Sequence, residues 1–219
     1  MEKKYRSACN SVLFDLDGTL LDSVSVILKA AEEAFGALSI AYDENELRKT
    51  IGIPLRVQAK RFAGAGAEEF VERYRTIYRE RQQRDLKLFP GTLQMLDAVK
   101  SRGFSTAVVT SKAARVTRMA LDQTGIANKF DAVVTADDVQ HPKPDPEPIL
   151  KALEALKTTP EQAIYVGDSL FDVDAAQRAG VAMVGVSWGA RTKDDLLLMC
   201  QQGVFDTWDE LLSWLDSQL

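Results

Sequence analysis

Between residues 92 and 186, short apolar runs alternate with segments of helical periodicity, and this alternation restricts the possible folds more than any other feature. It predicts strands at 105–109, 132–135, 163–166 and 181–186, and helices at 92–101, 115–125, 147–156 and 173–179. Strands that are separated by helices pair in parallel. The pattern therefore predicts an α/β protein with a doubly wound parallel sheet.

The N-terminal part of the sequence has a different organisation. A further strand is predicted at 11–16, an apolar run that stops at a turn-forming glycine. From residue 23 to about residue 84, apolar side chains occur at helical spacing without a convincing strand, and glycines and one proline divide this stretch into several helices. We therefore expect a Rossmann-like core at 1–22 and 89–219, interrupted by an all-helical cap domain at 23–88.

Charge and cysteine content limit the partners and the compartment. The 219 residues include 27 Lys and Arg against 32 Asp and Glu, a net charge of -5, which does not favour nucleic acid or an anionic membrane surface. No signal-peptide core or membrane span is expected, since aspartates interrupt the first apolar run. Cys9 and Cys200, without CxxC spacing, are typical of a reducing compartment. We expect a cytoplasmic monomer or homodimer with neither a nucleic-acid nor a membrane partner.

Residues that follow the predicted strands are the candidates for chemistry, because ligands of open parallel sheets bind at the carboxyl ends of the strands. Four such segments carry polar groups. They are Asp15 and Asp17 in DLDGT, the hydroxyl pair Thr110 and Ser111, Lys143 in a proline-rich loop, and Asp168 and Asp172 in GDSLFD. Strand alternation directs Asp15 and Asp17 to the same side of the chain.

The acidic groups in this set require a positive charge nearby. Acidic side chains crowded in one crevice repel each other unless a cation lies among them. Oxygen ligands without histidine favour Mg²⁺. A magnesium ion beside a lysine and a hydroxyl suits a phosphoryl group, whose oxygens need positive charge and hydrogen-bond donors. The sequence therefore predicts magnesium-dependent phosphoryl chemistry.

Structural explanations exist for several of these residues. Thr110 could cap the helix that follows it, and Asp172 could be an acidic residue at the start of a helix. Trp188 either lines the crevice or packs beside it. His141, the only histidine, is expected to be an exposed loop residue without a role.

The four segments occur in the order found in the haloacid dehalogenase-like superfamily, which the chain resembles over essentially its whole length. The sequences FPG at residue 89, IGIPL at residue 51 and VSWG at residue 186 are further similar to the phosphoglycolate phosphatase branch, which has a small helical cap. Ser111 departs from the asparagine often found at that position in the branch.

The resemblance implies a role for each matching residue. Asp15 would be the covalent nucleophile, and Asp17 the general acid and base, with a backbone carbonyl that also binds the metal. Thr110 would contact phosphate. Lys143 would neutralise charge, Asp168 would bind the metal, and Asp172 would bind it through water or support its ligands. Gly18, Thr19 and Ser111 complete the predicted phosphate-binding set.

The expected function is thus a magnesium-dependent phosphatase for a small phosphorylated metabolite, with phosphoglycolate as the first candidate. A pyrophosphatase, a sugar-phosphate phosphatase and a sugar phosphomutase would use the same kind of site. Mutases of the family usually have an aliphatic residue in place of Thr19. A signalling receiver module is a different class, but it is shorter and has no cap. A non-catalytic binding protein would be expected to lose Asp15 or Lys143.

Overall fold

The computed structural model describes residues 9–200 and 202–217. Within them, a six-stranded parallel sheet has the order β5-β4-β1-β6-β7-β8. Its strands are β1 Ser11–Phe14, β4 Ser105–Val109, β5 Ala132–Val134, β6 Ala163–Gly167, β7 Ala182–Val186 and β8 Val204–Phe205. The first strand pairs with β4 on one side and β6 on the other. The chain order reverses at β1, so the ligand crevice is expected beyond its carboxyl end.

Helices cover both faces of this sheet. They are α5 Thr92–Ser101, α6 Ala114–Gln123, α7 Glu147–Leu156, α8 Leu170–Ala179, α9 Lys193–Leu197 and α10 Trp208–Asp216. Alternating strand residues face opposite sides. On β1, Val12 and Phe14 join one hydrophobic core with α5, α6 and α10, whereas Leu13 joins a second core with α7, α8 and α9. The predicted doubly wound α/β fold is confirmed.

The N-terminal helical block has a hydrophobic core of its own. Its helices are α1 Val24–Ala37, α2 Glu44–Arg48, α3 Leu55–Ala63 and α4 Ala67–Asp85. Aromatic rings dominate this third core, in which Phe35 stacks on Phe70 with centroids 4.2 Å apart. The separate core supports our proposal that residues 23–88 form a cap domain.

A short strand lies at the C-terminal boundary of the block, beyond the stretch predicted to be helical. Strand β3, Lys87–Leu88, pairs antiparallel with β2, Leu21–Asp22, so the two chain crossings between block and sheet are joined by backbone hydrogen bonds. Two-residue strands are too short to show an alternating pattern. Short strand β8 and helix α10 were likewise not predicted.

The first strand is shorter than its apolar run. It ends at Phe14, although Leu16 is fully buried, because the chain turns and pairs Asp17 with Leu21 in an isolated bridge. Apolar character follows burial rather than strand pairing. Among the described residues, no helix combines the length and the apolar character that crossing a membrane requires.

Candidate active site

Asp15 leaves the carboxyl end of the central strand β1. Its backbone N–H donates to the Val166 carbonyl at 2.9 Å, which continues the pairing with β6 for one residue beyond the strand. The residue is 3% exposed. Burial raises the pKa of the Asp15 carboxyl well above its ordinary value, and the nearby Lys143 ammonium opposes that increase.

Lys143 is the cation at the centre of the site. Its Nζ donates to Asp15 Oδ1 and Asp172 Oδ1, each at 2.7 Å, and lies 3.1 Å from the Tyr165 hydroxyl and 3.2 Å from the Val109 carbonyl. Burial disfavours the charged ammonium, but the two carboxylates prevail and raise the pKa of Lys143 well above its usual range. The lysine is therefore a permanent cation that joins the loops after β1, β4 and β6.

Asp168 is enclosed on every side. It is fully buried and accepts hydrogen bonds from Thr19 Oγ1 at 2.9 Å and from the Ala190 backbone N–H at 2.6 Å. A β-carbon on Gly18 or Gly189 would overlap its carboxylate, so both positions require glycine. Burial and the neighbouring Asp172 raise the pKa of Asp168 to about 7.

Asp172 is fixed by the start of helix α8. Its Oδ2 accepts from the Ser169 backbone N–H at 3.0 Å and from Ser169 Oγ at 2.6 Å, in a capping box. Its Oδ1 faces Lys143 and the Tyr165 hydroxyl. A β-carbon on Gly167 would lie 2.7 Å from Asp172 Cγ, so the loop comes this close only with glycine there. Asp172 thus both caps α8 and contributes charge to the site.

These contacts bring Asp15, Asp168 and Asp172 together. One carboxylate oxygen from each lies within 4.8 Å of the others, and all three residues are buried. Lys143 balances one of the three negative charges, and burial of the remainder is costly without another cation. Hard oxygen ligands without histidine suit Mg²⁺. The donor set therefore fits a magnesium ion.

The structure places the Asp17 carboxylate outside this cluster. Asp17 Oδ1 lies 2.9 Å from Nζ of Lys112, whose Nζ also donates to the Tyr78 hydroxyl at 2.6 Å. Tyr78 belongs to helix α4 of the helical block. Sequence reasoning gave neither Lys112 nor Tyr78 a role, although Lys112 directly follows the predicted Thr-Ser pair.

The hydroxyl pair after β4 lies next to the same crevice. Thr110 is buried, and its Oγ1 accepts from the Lys112 backbone N–H at 3.2 Å. It does not cap α6, whose first N–H is bound by Asp137 Oδ2 at 2.8 Å. Among the described residues, the buried Ser111 Oγ has no hydrogen-bond partner. An unpartnered buried hydroxyl of this kind is suited to a ligand oxygen.

Thr19 and Trp188 hold the loops around the site in place. Thr19 is fully buried, and its hydroxyl is directed to Asp168, so the structure gives it a different partner from the phosphate predicted. Trp188 packs: its indole N–H donates to the Thr19 carbonyl at 3.0 Å, and its ring meets Trp208 edge-on with centroids 4.6 Å apart. His141 is an exposed residue bonded to Glu147.

The helical block lies directly over these loops. A β-carbon on Gly52 would lie 2.9 Å from Ser169 Oγ and 3.1 Å from Phe171, so this turn approaches the loop before α8 closely. Arg191 donates to the Lys49 carbonyl at 2.7 Å. The crevice is therefore bounded by the sheet loops below and by the block above.

A doubly wound sheet with buried aspartates and a lysine at the carboxyl ends of its central strands, covered by a helical insertion, defines a class of hydrolases. The model of the haloacid dehalogenase-like hydrolase family matches residues 12–186, and the chain belongs to that family. This membership confirms the family that was predicted from the sequence.

Known proteins of similar sequence bear this out. The chain is 37% identical to the pyrophosphatase PpaX of Bacillus velezensis over 83% of this chain and 86% of that protein. It is also 37% identical to the phosphoglycolate phosphatase of Aquifex aeolicus over 81% and 84% of the two chains. A hydrolase from Pseudomonas syringae superposes with a TM-score of 0.86 at 28% identity, over 95% and 98%. The predicted enzyme class, a phosphatase of the haloacid dehalogenase type, is confirmed.

Proposed function

We propose that the protein is a magnesium-dependent phosphatase that hydrolyses a small phosphate monoester through an aspartyl-phosphate on Asp15. The observation that carries this proposal is the cluster of Asp15, Asp168 and Asp172 around Lys143 at the carboxyl end of the central strand. A phosphatase must offset the charge on the phosphoryl oxygens. The cluster supplies a fixed ammonium and a place for a divalent cation.

Asp15 performs the first step. An oxygen of its carboxylate attacks phosphorus in line with the ester bond, that bond breaks, and an acyl phosphate forms on Asp15. Lys143 holds the carboxylate in place and offsets charge on the phosphoryl oxygens. Bound among Asp15, Asp168 and Asp172, Mg²⁺ would supply further positive charge beside the phosphoryl group. Thr110 and the unpartnered Ser111 hydroxyl provide donors for those oxygens.

Asp17 moves the protons. In the first step its carboxyl gives a proton to the leaving oxygen, and in the second it removes a proton from the water that attacks the acyl phosphate. Phosphate then leaves, and the Asp15 carboxylate is restored. The carboxylate of Asp17 lies outside the cluster of three and is paired with Lys112, so it turns from Lys112 toward each oxygen in these steps.

Phosphoglycolate is the first substrate we propose, and pyrophosphate is the alternative. Both are supported by relatives of 37% identity, one named for each activity. The cysteines Cys9 and Cys200 are free, which supports a reducing, cytoplasmic location. We further propose that the enzyme is a monomer or homodimer and acts on small metabolites rather than on a polymer.

Phosphate release from phosphoglycolate, pyrophosphate and a set of sugar phosphates, with Mg²⁺ or with EDTA, tests the proposal. Asp15→Asn should lower kcat by about a thousand-fold or more, as expected when a nucleophile is lost. Asp122→Asn, an exposed aspartate of α6, is the matched control and should retain the activity of the original protein. Turnover by Asp15→Asn at the original rate, or full activity in EDTA, would contradict the mechanism.

A further inference from the structure

Lys112 is a second cation over the crevice, separate from Lys143. Its side chain is 9% exposed, and its Nζ has two polar neighbours, the Tyr78 hydroxyl at 2.6 Å and Asp17 Oδ1 at 2.9 Å. An ammonium has three protons. The hydrogen bond to Tyr78 uses one of them, whereas Asp17 Oδ1 is an ion-pair neighbour that has no hydrogen-bond partner among the described residues. Lys112 therefore keeps donor capacity for a ligand.

Tyr78 of helix α4 lies beside this ammonium, and Tyr74 of the same helix stacks on Tyr78. The Lys112 Nζ lies 4.5 Å from the centre of the Tyr78 ring, and the Tyr74 and Tyr78 rings stack with centroids 5.5 Å apart. Burial raises the pKa of the Tyr74 hydroxyl well above its ordinary value, Tyr78 and Asp17 add to the increase, and Lys112 opposes it. The stacked Tyr74 and Tyr78 rings thus form one wall beside Lys112.

The position of Asp17 gives this arrangement a consequence for substrate choice. To reach the leaving oxygen, the Asp17 carboxyl must turn toward the substrate and away from Lys112. A largely buried ammonium that loses its carboxylate partner needs another anion. The leaving group lies beside Asp17, because Asp17 protonates it, and is therefore the part of the substrate that can supply that anion.

We propose that Lys112, Tyr78 and Tyr74 form an anion subsite that binds a negatively charged leaving group. This inference rests on the proposed phosphatase function. The subsite selects phosphate esters whose leaving group carries a carboxylate or a second phosphate over esters of neutral alcohols. In this subsite, Lys112 is a specificity-determining residue, and Tyr78 orients it from the helical block.

The test compares phosphoglycolate with ethyl phosphate, which replaces the carboxylate by a methyl group. Lys112→Met should lower the ratio of their kcat/KM values about 10- to 100-fold, the effect of losing one charge-assisted hydrogen bond. Tyr78→Phe should lower that ratio less, and Lys112→Arg should restore part of it. Lys60→Met, an exposed lysine of α3, is the matched control and should leave the ratio unchanged. Pyrophosphate, assayed in parallel, distinguishes a phosphate leaving group from a carboxylate.

Binding supplies a readout independent of turnover. Calorimetry with 3-phosphonopropionate and propylphosphonate, which cannot be hydrolysed, should show tighter binding of the carboxylate-bearing ligand to the original protein. Lys112→Met should remove that difference. Equal losses for both substrates in Lys112→Met leave the ratio unchanged; this result would overturn the subsite and assign Lys112 to holding Asp17. Unchanged kcat/KM values for both substrates would also overturn it. Failure of the phosphatase proposal is recognised separately, because no phosphate ester would then be hydrolysed.

Discussion

The Thr19 hydroxyl donates a hydrogen bond to Asp168 Oδ1 at 2.9 Å, although the two residues are 149 positions apart. Both side chains are fully buried, so water does not compete for this contact. The bond fixes one carboxylate of the proposed magnesium site from the loop that carries the proposed nucleophile. Several expectations for the enzyme depend on how such supporting contacts hold Asp168 and Lys143.

Thr19→Val should weaken Mg²⁺ binding about 10- to 100-fold, because it removes the donor to Asp168 and retains the shape of the side chain. Thr19→Ser keeps the hydroxyl and should bind Mg²⁺ nearly as the original protein does. Magnesium activation curves and calorimetry measure the effect. Equal Mg²⁺ affinity in Thr19→Val and the original protein would show that the hydroxyl has no such role.

Gly189→Ala should abolish most Mg²⁺-dependent activity, since its β-carbon would overlap the Asp168 carboxylate and displace it. Gly36→Ala is the matched control, because nothing lies within 4 Å of a β-carbon there. Gly36 is in helix α1, so alanine should stabilise the protein by up to about 1 kcal/mol. Thermal unfolding and phosphate release, measured on both variants, separate the two effects. A fully active Gly189→Ala would argue against the close packing around Asp168.

Lys143→Met should destabilise the magnesium-free protein by about 3–5 kcal/mol, as expected when a buried ion pair loses one partner. Asp15 and Asp172 would then face each other without a cation. Added Mg²⁺ should recover part of the loss, and urea unfolding with and without Mg²⁺ measures it. Lys49→Met breaks an exposed ion pair with Glu46 and should change the unfolding free energy by less than about 1 kcal/mol. Similar losses in both variants would contradict the argument.

The stabilisation by Mg²⁺ should depend on pH through Asp168. Its pKa in the folded protein is raised to about 7 by burial and by Asp172. The folded, magnesium-free protein thus binds more protons than the unfolded chain, and this group lowers the unfolding free energy as pH rises from about 4 to about 7. A bound cation offsets that penalty, so Mg²⁺ should raise Tm more at about pH 8 than at about pH 5.5.

Thermal unfolding at the two pH values, with Mg²⁺ or EDTA, measures this dependence. Asp168→Asn has no carboxylate to titrate, so it should unfold at a higher temperature than the original protein in EDTA at the upper pH. It should also lose most of the response to Mg²⁺. An increase in Tm on adding Mg²⁺ that is the same at both pH values would count against Asp168 as the titrating ligand.

Sequence patterns located five strands of the described sheet, because those strands are apolar and alternate with amphipathic helices, and β1, β4, β6 and β7 are buried almost throughout. They failed where an apolar residue is buried without belonging to a strand. Leu16, for example, is buried beyond the end of β1. They also missed Lys87–Leu88, a strand whose two residues carry no periodic signal. Local sequence patterns indicate which residues are buried, whereas β-strand pairing depends on the neighbouring strand, which is distant in sequence.

The sequence by itself determined the class of fold and the family, and it placed acidic, hydroxyl and lysine side chains at successive strand ends. Parallel strands direct their carboxyl ends to one edge, so order along the chain is enough to gather these groups. Only the tertiary structure decided that Thr19 binds Asp168 and that Lys112 joins Asp17 to Tyr78. The first contact depends on how the loops after β1 and β6 meet, and the second depends on how helix α4 packs over the loop after β4. Side chains far apart in sequence leave no periodic signal of either contact.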